Sequence, residues 1–307
     1  MALRGNLFLL LAAFFWGTTF VAQSVAMDGM GPYLYNAARY LVGTIVVFLI
    51  FLVMRRAKRD AAAGDADAET TDGKSGFRYG LGAGCIMLIA TTLQQVGLQY
   101  TTVGKAAFIT CLYIIFVPLA ARLFGRPGAA ASYVGALVAL SGLYLLSIPV
   151  GDFELVYGDV LLFASALFWT LHILFIAHFA PTADAVEISL SQLAVCMIGS
   201  TVLALLFETV TFAAVAGGII PILYAGVMSS GLGFTLQILG QKTAPPAAAA
   251  VIMSLEAVFG AASGALLLDE VMTARELSGC GLMLTGMILT QVSTIKRSGR
   301  DKRKGLK

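Results

Sequence analysis

Long stretches without a single charged residue recur along this chain. Residues 5–27, 79–104, 127–151, 160–183, 188–207 and 277–295 contain no Asp, Glu, Lys or Arg. A helix needs about 20 apolar residues to cross a hydrocarbon core, so each stretch predicts one membrane crossing. Four segments are nearly as clean: 33–54 carries only Arg39, 103–123 carries Lys105 and Arg122 near its ends, 217–239 lies in a long uncharged run, and 245–267 carries only Glu256. The expectation is an all-α integral membrane protein with ten transmembrane helices. Composition agrees, with 59% hydrophobic and 12% charged residues against about 25% charged in soluble domains. Too few charges remain to coat a water-soluble particle, which excludes a globular cytosolic or secreted protein.

Arg4 followed by an apolar run resembles a secretory signal, but the run is longer than the usual ~7–15 residues and ends without a convincing small-x-small cleavage site. It reads as the first crossing. Residues 55–78 read as a polar, disordered linker on the cytoplasmic side, and 296–307 as a basic cytoplasmic tail. With the amino terminus inside, seventeen of the 20 Lys and Arg fall on cytoplasmic segments, while Asp28, Asp152, Glu154, Asp159, Glu208, Asp269, Glu270 and Glu276 fall outside. The positive-inside rule therefore places both termini in the cytoplasm. Only the connection 178–187, with His178, Asp184 and Glu187, lacks the expected basic residue. The location expected is the inner or plasma membrane.

The chain also matches itself. Residues 5–16, from Gly5 to Trp16, align with Gly158 to Trp169 at an offset of 153. Leu93, Gln94, Gly97, Ala106, Ala107, Leu112 and Phe116 align with Leu236, Gln237, Gly240, Ala249, Ala250, Leu255 and Phe259 at 143, and Gly135 and Gly142 with Gly279 and Gly286 at 144. The halves are read as 1–148 and 157–295. Each holds five crossings, and an odd number forces the second copy to enter from the opposite side. A 5+5 inverted-topology repeat supplies two nearly equivalent conformations, one open to each side, as alternating access requires.

Several motifs carry a resemblance. Phe14-Phe15-Trp16-Gly17-Thr18-Thr19-Phe20, Arg39-Tyr40, Leu255-Glu256-Ala257-Val258-Phe259, and Leu266-Leu267-Leu268-Asp269-Glu270 followed by Gly279 and Gly286 are similar to the EamA-type family, the ten-helix branch of the drug/metabolite transporters. That resemblance implies a five-plus-five bundle with a central cavity and efflux of small metabolites, often amino acids or related compounds. The family usually has Pro after the ninth-span Glu. Here it is Ala257, so a straighter ninth helix is expected.

No catalytic constellation is present. The chain has no G-x-x-x-x-G-K-[ST] loop, no paired carboxylates within one span, and His172 and His178 lie six apart on different sides of a helix. Cys85, Cys111, Cys196 and Cys280 fall singly in separate runs, which favours core packing over a disulfide or metal site. Gly80-x-Gly82-x-Gly84 reads as a helix-packing face. Nothing points to an enzyme, a cofactor or a nucleic-acid partner; the expected partners are a small solute, membrane lipid and protons.

Polar groups inside spans are costly and so are site candidates. Glu256 lies roughly 16 Å along its helix, where a carboxylate must pair, face water or take up a proton. Tyr113 is its repeat mate. Gln94 and Gln237 are mates suited to a central ligand or to helix-to-helix bonding, and Trp16 and Trp169 are mates near mid-membrane. Lys105 either snorkels to the interface or attracts a substrate carboxylate. Arg39 and its mate Gln192 are polar in both halves and read as structural or coupling groups. His172 reads as a proton relay or a satisfied core histidine. The function expected is a secondary transporter exporting a small polar or amphipathic metabolite, amino-acid-like or drug-like, with the proton as coupling ion. A channel or facilitator and a lipid-translocating protein stay open as alternatives.

Overall fold

A computed structural model of the protein describes residues 2–27, 29–64, 75–123, 130–148, 154–267 and 271–304. Among these, ten long helical bodies follow one another, with a short helix, Phe212–Gly217, between the seventh and the eighth. They are α1 (Ala2–Met27), α2 (Pro32–Gly64), α3 (Phe77–Gly97), α4 (Val103–Thr110 and Tyr113–Leu123), α5 (Ala130–Ser147), α6 (Tyr157–Phe179) and α7 (Ala185–Phe207). The last three are α8 (Ile219–Tyr224, Ala225–Gly233 and Phe234–Gln241), α9 (Pro246–Met253 and Glu256–Leu267) and α10 (Ala274–Lys304). Among the described residues, α2 to α9 are each long and apolar enough to cross a membrane. On α2, Leu41, Ile45, Phe48 and Leu49 are exposed at helical spacing, the pattern of a face turned to acyl chains.

The packing follows the repeat. Helix α1 lies against α8 and α9, and its counterpart α6 lies against α3 and α4. Helix α2 meets its own mate α7, α4 meets α9, and α5 meets α10. The α5–α10 crossing is close because glycine backbones touch there. A Cβ on Gly142 would lie 2.5 Å from the Gly279 carbonyl oxygen, and one on Gly279 would lie 2.6 Å from that of Gly142. Small residues allow this approach, and van der Waals contact then holds the pair together where lipid supplies no hydrophobic drive. Gly80 and Gly84 do the same for α3 against α7, while Gly82 faces Phe175 of α6.

Three expectations are corrected. Residues 55–64 are not a linker: α2 continues to Gly64, because Arg, Lys and Ala are strong helix formers. The extension has a task, since Lys58 Nζ reaches Asp184 Oδ2 at 3.1 Å and supplies the basic partner that the 178–187 connection lacks. Helix α10 likewise runs on through the basic tail to Lys304. The ninth helix is not straighter for having Ala257. It breaks at Ser254 and Leu255, where Ser254 Oγ donates to the Val251 carbonyl and Ala257 N bonds the Ser254 carbonyl in a tightened turn. Residues 65–74, Asp28, Asp152, Asp269 and Glu270, which bear on the orientation expected from charge, lie outside the described residues.

Candidate functional site

A central cavity opens between the two halves, lined by residues of both. Both helix breaks reach it. In α4 the turn at Cys111 and Leu112 is built from Cys111 N to Ala107 O at 3.0 Å, Leu112 N to Ile109 O at 3.2 Å and Ile114 N to Cys111 O at 2.9 Å. In α9 the mates repeat it: Ser254 N to Ala250 O at 3.0 Å, Leu255 N to Ile252 O at 3.2 Å and Ala257 N to Ser254 O at 3.2 Å. Discontinuous helices facing each other at a repeat interface are where transporters of this architecture hold solutes.

Each break places one polar side chain in the cavity wall, Tyr113 from α4 and Glu256 from α9. The two mates touch, with Tyr113 Oη donating to Glu256 Oε1 at 3.3 Å and Cys111 Sγ donating to the same oxygen at 3.4 Å. An aromatic wall rises beside them. Phe234 lies between Trp16, at 5.2 Å, and Trp169, stacked at 6.1 Å and 11°. Trp169 Nε1 donates to Gln94 Oε1 at 3.3 Å, and Trp16 Nε1 to the Ser229 backbone oxygen at 3.3 Å. Ser229 belongs to a π-helical stretch, Ala225–Gly233, and such stretches recur at functional positions because they shift the register of one turn. Gln237 completes this wall at 1% exposure, and its Oε1 has no hydrogen-bond partner among the described residues.

Arg39 also lines the cavity, but its guanidinium is already engaged. Nε donates to Asn36 Oδ1 at 2.9 Å, a terminal nitrogen to Tyr40 Oη at 3.0 Å, and the plane sits 4.7 Å from the Tyr40 ring centre.

Three candidates stand elsewhere. Lys105 is not in the cavity wall: its ammonium pairs with Asp159 Oδ2 at 2.6 Å and donates to the Glu154 carbonyl oxygen. Asp159 is 3% exposed and reads as the reason, since a buried carboxylate captures the nearest cation. The expected attraction of a substrate carboxylate is therefore replaced by an ion pair joining α4 to α6. His172 and Gln192 bond each other, Nε2 to Oε1 at 3.1 Å, both fully buried behind Trp169.

The cavity wall also contains Thr19, Gln23, Thr91 and Thr110, which the sequence did not single out. Their signal was present: each lies three or seven residues from Trp16, Gln94 or Tyr113, one or two turns along the same face. Cys111, read as plain core, is a carboxylate partner. Ser229 acts through its backbone oxygen, which no residue type advertises.

Comparison with known proteins agrees with this geometry. Residues 3–148 and 156–292 match the EamA-like transporter family. A curated protein of Archaeoglobus fulgidus, named as an uncharacterized transporter, is 29% identical over 291 residues, covering 94% of this chain and 86% of that one. One solved crystal structure superposes with a TM-score of 0.75 at 17% identity, covering 96% of this chain and 99% of the other, and shows the shared fold. Two matched repeats spanning nearly the whole chain, on a bundle of membrane-crossing helices around a central cavity, establish that the chain belongs to the EamA-like transporter family and is a membrane transporter.

Proposed function

We propose that this protein is a ten-span secondary transporter that exports a small polar or amphipathic metabolite by alternating access, with the proton as coupling ion. Both termini lie in the cytoplasm, and the halves insert in opposite senses across the inner or plasma membrane. The observation that carries the reading is Glu256: a carboxylate at a helix break, in the wall of a cavity between the halves, whose hydrogen-bond partners are a phenol and a thiol. A group so placed can hold a proton or a solute cation and release it when the cavity turns to the other side. The aromatic wall suits an apolar portion of the solute, and Gln237 Oε1 offers an acceptor to an N–H or O–H donor on it.

The test has two stages. An untargeted comparison of metabolites released by cells with and without the protein identifies the solute. Its uptake into vesicles is then measured with and without a pH gradient. Accumulation against the solute gradient only when a pH gradient is imposed supports the reading, whereas equilibration indifferent to pH identifies a facilitator.

A further inference from the structure

The halves share their paired helix breaks, but on the cavity wall their tryptophan–glutamine pairs make different contacts. Trp169 donates to Gln94. Their repeat mates, Trp16 and Gln237, stand on the same cavity wall, yet they do not bond each other: Trp16 donates to the Ser229 carbonyl instead, and the buried Gln237 Oε1 has no partner among the described residues. Leaving a buried amide oxygen unpaired is unfavourable, so this conformation satisfies one copy of the contact at the expense of the other. Phe234 packs against both tryptophans, so neither indole moves independently of the shared wall.

An inverted repeat reaches its opposite-facing state when its halves exchange conformations. We infer that the Trp169–Gln94 and Trp16–Gln237 hydrogen bonds are mutually exclusive and mark the two facing states. The first is made in the present conformation. The second is made in the opposite one, where Gln94 becomes the unpaired amide of the cavity. The four side chains are thus positioning residues that set the balance between the states. The inference rests on the alternating-access reading and adds which bonds distinguish its two ends.

Spin labels at positions 29 and 100 report one end of the bundle, and labels at their mates 182 and 243 the other; all four positions are exposed or partly exposed at helix ends. With the four native cysteines replaced, distances are measured by pulsed electron paramagnetic resonance in lipid nanodiscs without added solute. Two populations at each pair are expected, one pair short when the other is long. Gln94→Leu deletes the bond of the present state and Gln237→Leu that of the opposite state. They should shift the populations in opposite directions, each roughly fivefold, the worth of one ordinary hydrogen bond. The double variant should return close to the wild-type ratio. Trp169→Phe, which removes the donor and keeps both glutamines, should shift the ratio as Gln94→Leu does. Shifts in the same direction, or no shift in a protein that has two populations, overturn the exchange and leave alternating access standing. A single population at both pairs in every variant overturns alternating access and the exchange with it.

Discussion

The two helix breaks, at Cys111 and Leu112 in α4 and at Ser254 and Leu255 in α9, are built from the same three backbone hydrogen bonds at equivalent residues. Their side chains are not alike: α4 presents Tyr113 to the cavity and α9 presents Glu256. The same contrast recurs at one end of the bundle. Lys105 and Asp159 form a buried ion pair between α4 and α6, whereas the mates of these residues are Ala248 and Asn6. Asn6 instead donates to Gln291 Oε1 at 2.6 Å. The two breaks are therefore alike in backbone, while the chemistry beside them is one-sided. On the alternating-access reading proposed above, the repeat would supply two states of similar energy and the unlike side chains would set which of them is favoured.

Breaking the one-sided ion pair should have the largest effect. Lys105→Ala leaves Asp159 buried and uncompensated, and a loss of about 3–5 kcal/mol is expected, read as thermal unfolding in detergent. Lys105→Met combined with Asp159→Leu should cost less than either single change, because the cost comes from stranding one charge. A double variant as unstable as the single one would mean that the pair holds α4 to α6 by more than charge.

The symmetric part makes the opposite prediction. Gly142→Val and Gly279→Val each push a side chain into the facing carbonyl at the α5–α10 crossing, and each should cost about 1–3 kcal/mol by overpacking. Equal losses in thermal unfolding fit a symmetric crossing, while a tolerated change on one helix would show that the halves differ there too.

At the breaks, Glu256→Gln should lower solute transport at least about tenfold and flatten its pH profile, as expected when a proton-transferring group is lost. Tyr113→Phe, which removes one hydrogen bond, should cost only a few-fold. Initial rates in vesicles across a pH series check both, with surface abundance confirmed. If Tyr113→Phe proves as damaging as Glu256→Gln, the phenol is an equal partner in the chemistry and the asymmetry at the breaks is only apparent.

The smallest effect concerns how α2 and α7 begin. Helix α7 is capped by its own Asp184, which accepts from Val186 N at 2.9 Å and Glu187 N at 3.2 Å. The mate of Asp184 is Gly31, and α2 is capped instead by Glu208 at the end of α7, which accepts from Tyr33 N and Leu34 N, each at 2.8 Å. Burial pushes the Asp184 carboxyl up, but bonds from Glu187 N, Lys58 and Val186 N outweigh it and hold the group below its ordinary range. Its contribution is thus complete above the unfolded carboxylate value of about 3.9 and fades as pH falls through the lower folded value. Asp184→Ala should cost about 1 kcal/mol near neutrality. It should also unfold with a shallower dependence on pH between about 5 and 3, in thermal melts of variant and wild type.

Much of this could be read along the chain, because membrane spans and repeats are one-dimensional signals. The pairing of Trp16 with Trp169, of Gln94 with Gln237 and of Tyr113 with Glu256 followed from constant offsets, and all six line the cavity. The ion pair of Lys105 was not legible because its partner Asp159 lies 54 positions away, where no periodicity reaches. The break before Glu256 was missed because proline was taken as the only signal for one. A serine bonding back to its own helix leaves a much weaker mark in the sequence.

The solvent, the long helices and the repeat are all written along the chain, whereas the helix ends and breaks are not. Charge is excluded from hydrocarbon at a cost of kilocalories per residue, and matches at a constant offset reveal a duplication with no knowledge of contacts. Contacts between helices set which polar groups are taken up by one another and which face the cavity. That choice depends on a few ångströms between side chains from different helices, and it separates Lys105, His172 and Gln192, each held by a partner outside the cavity wall, from Glu256 and Gln237, which line the cavity.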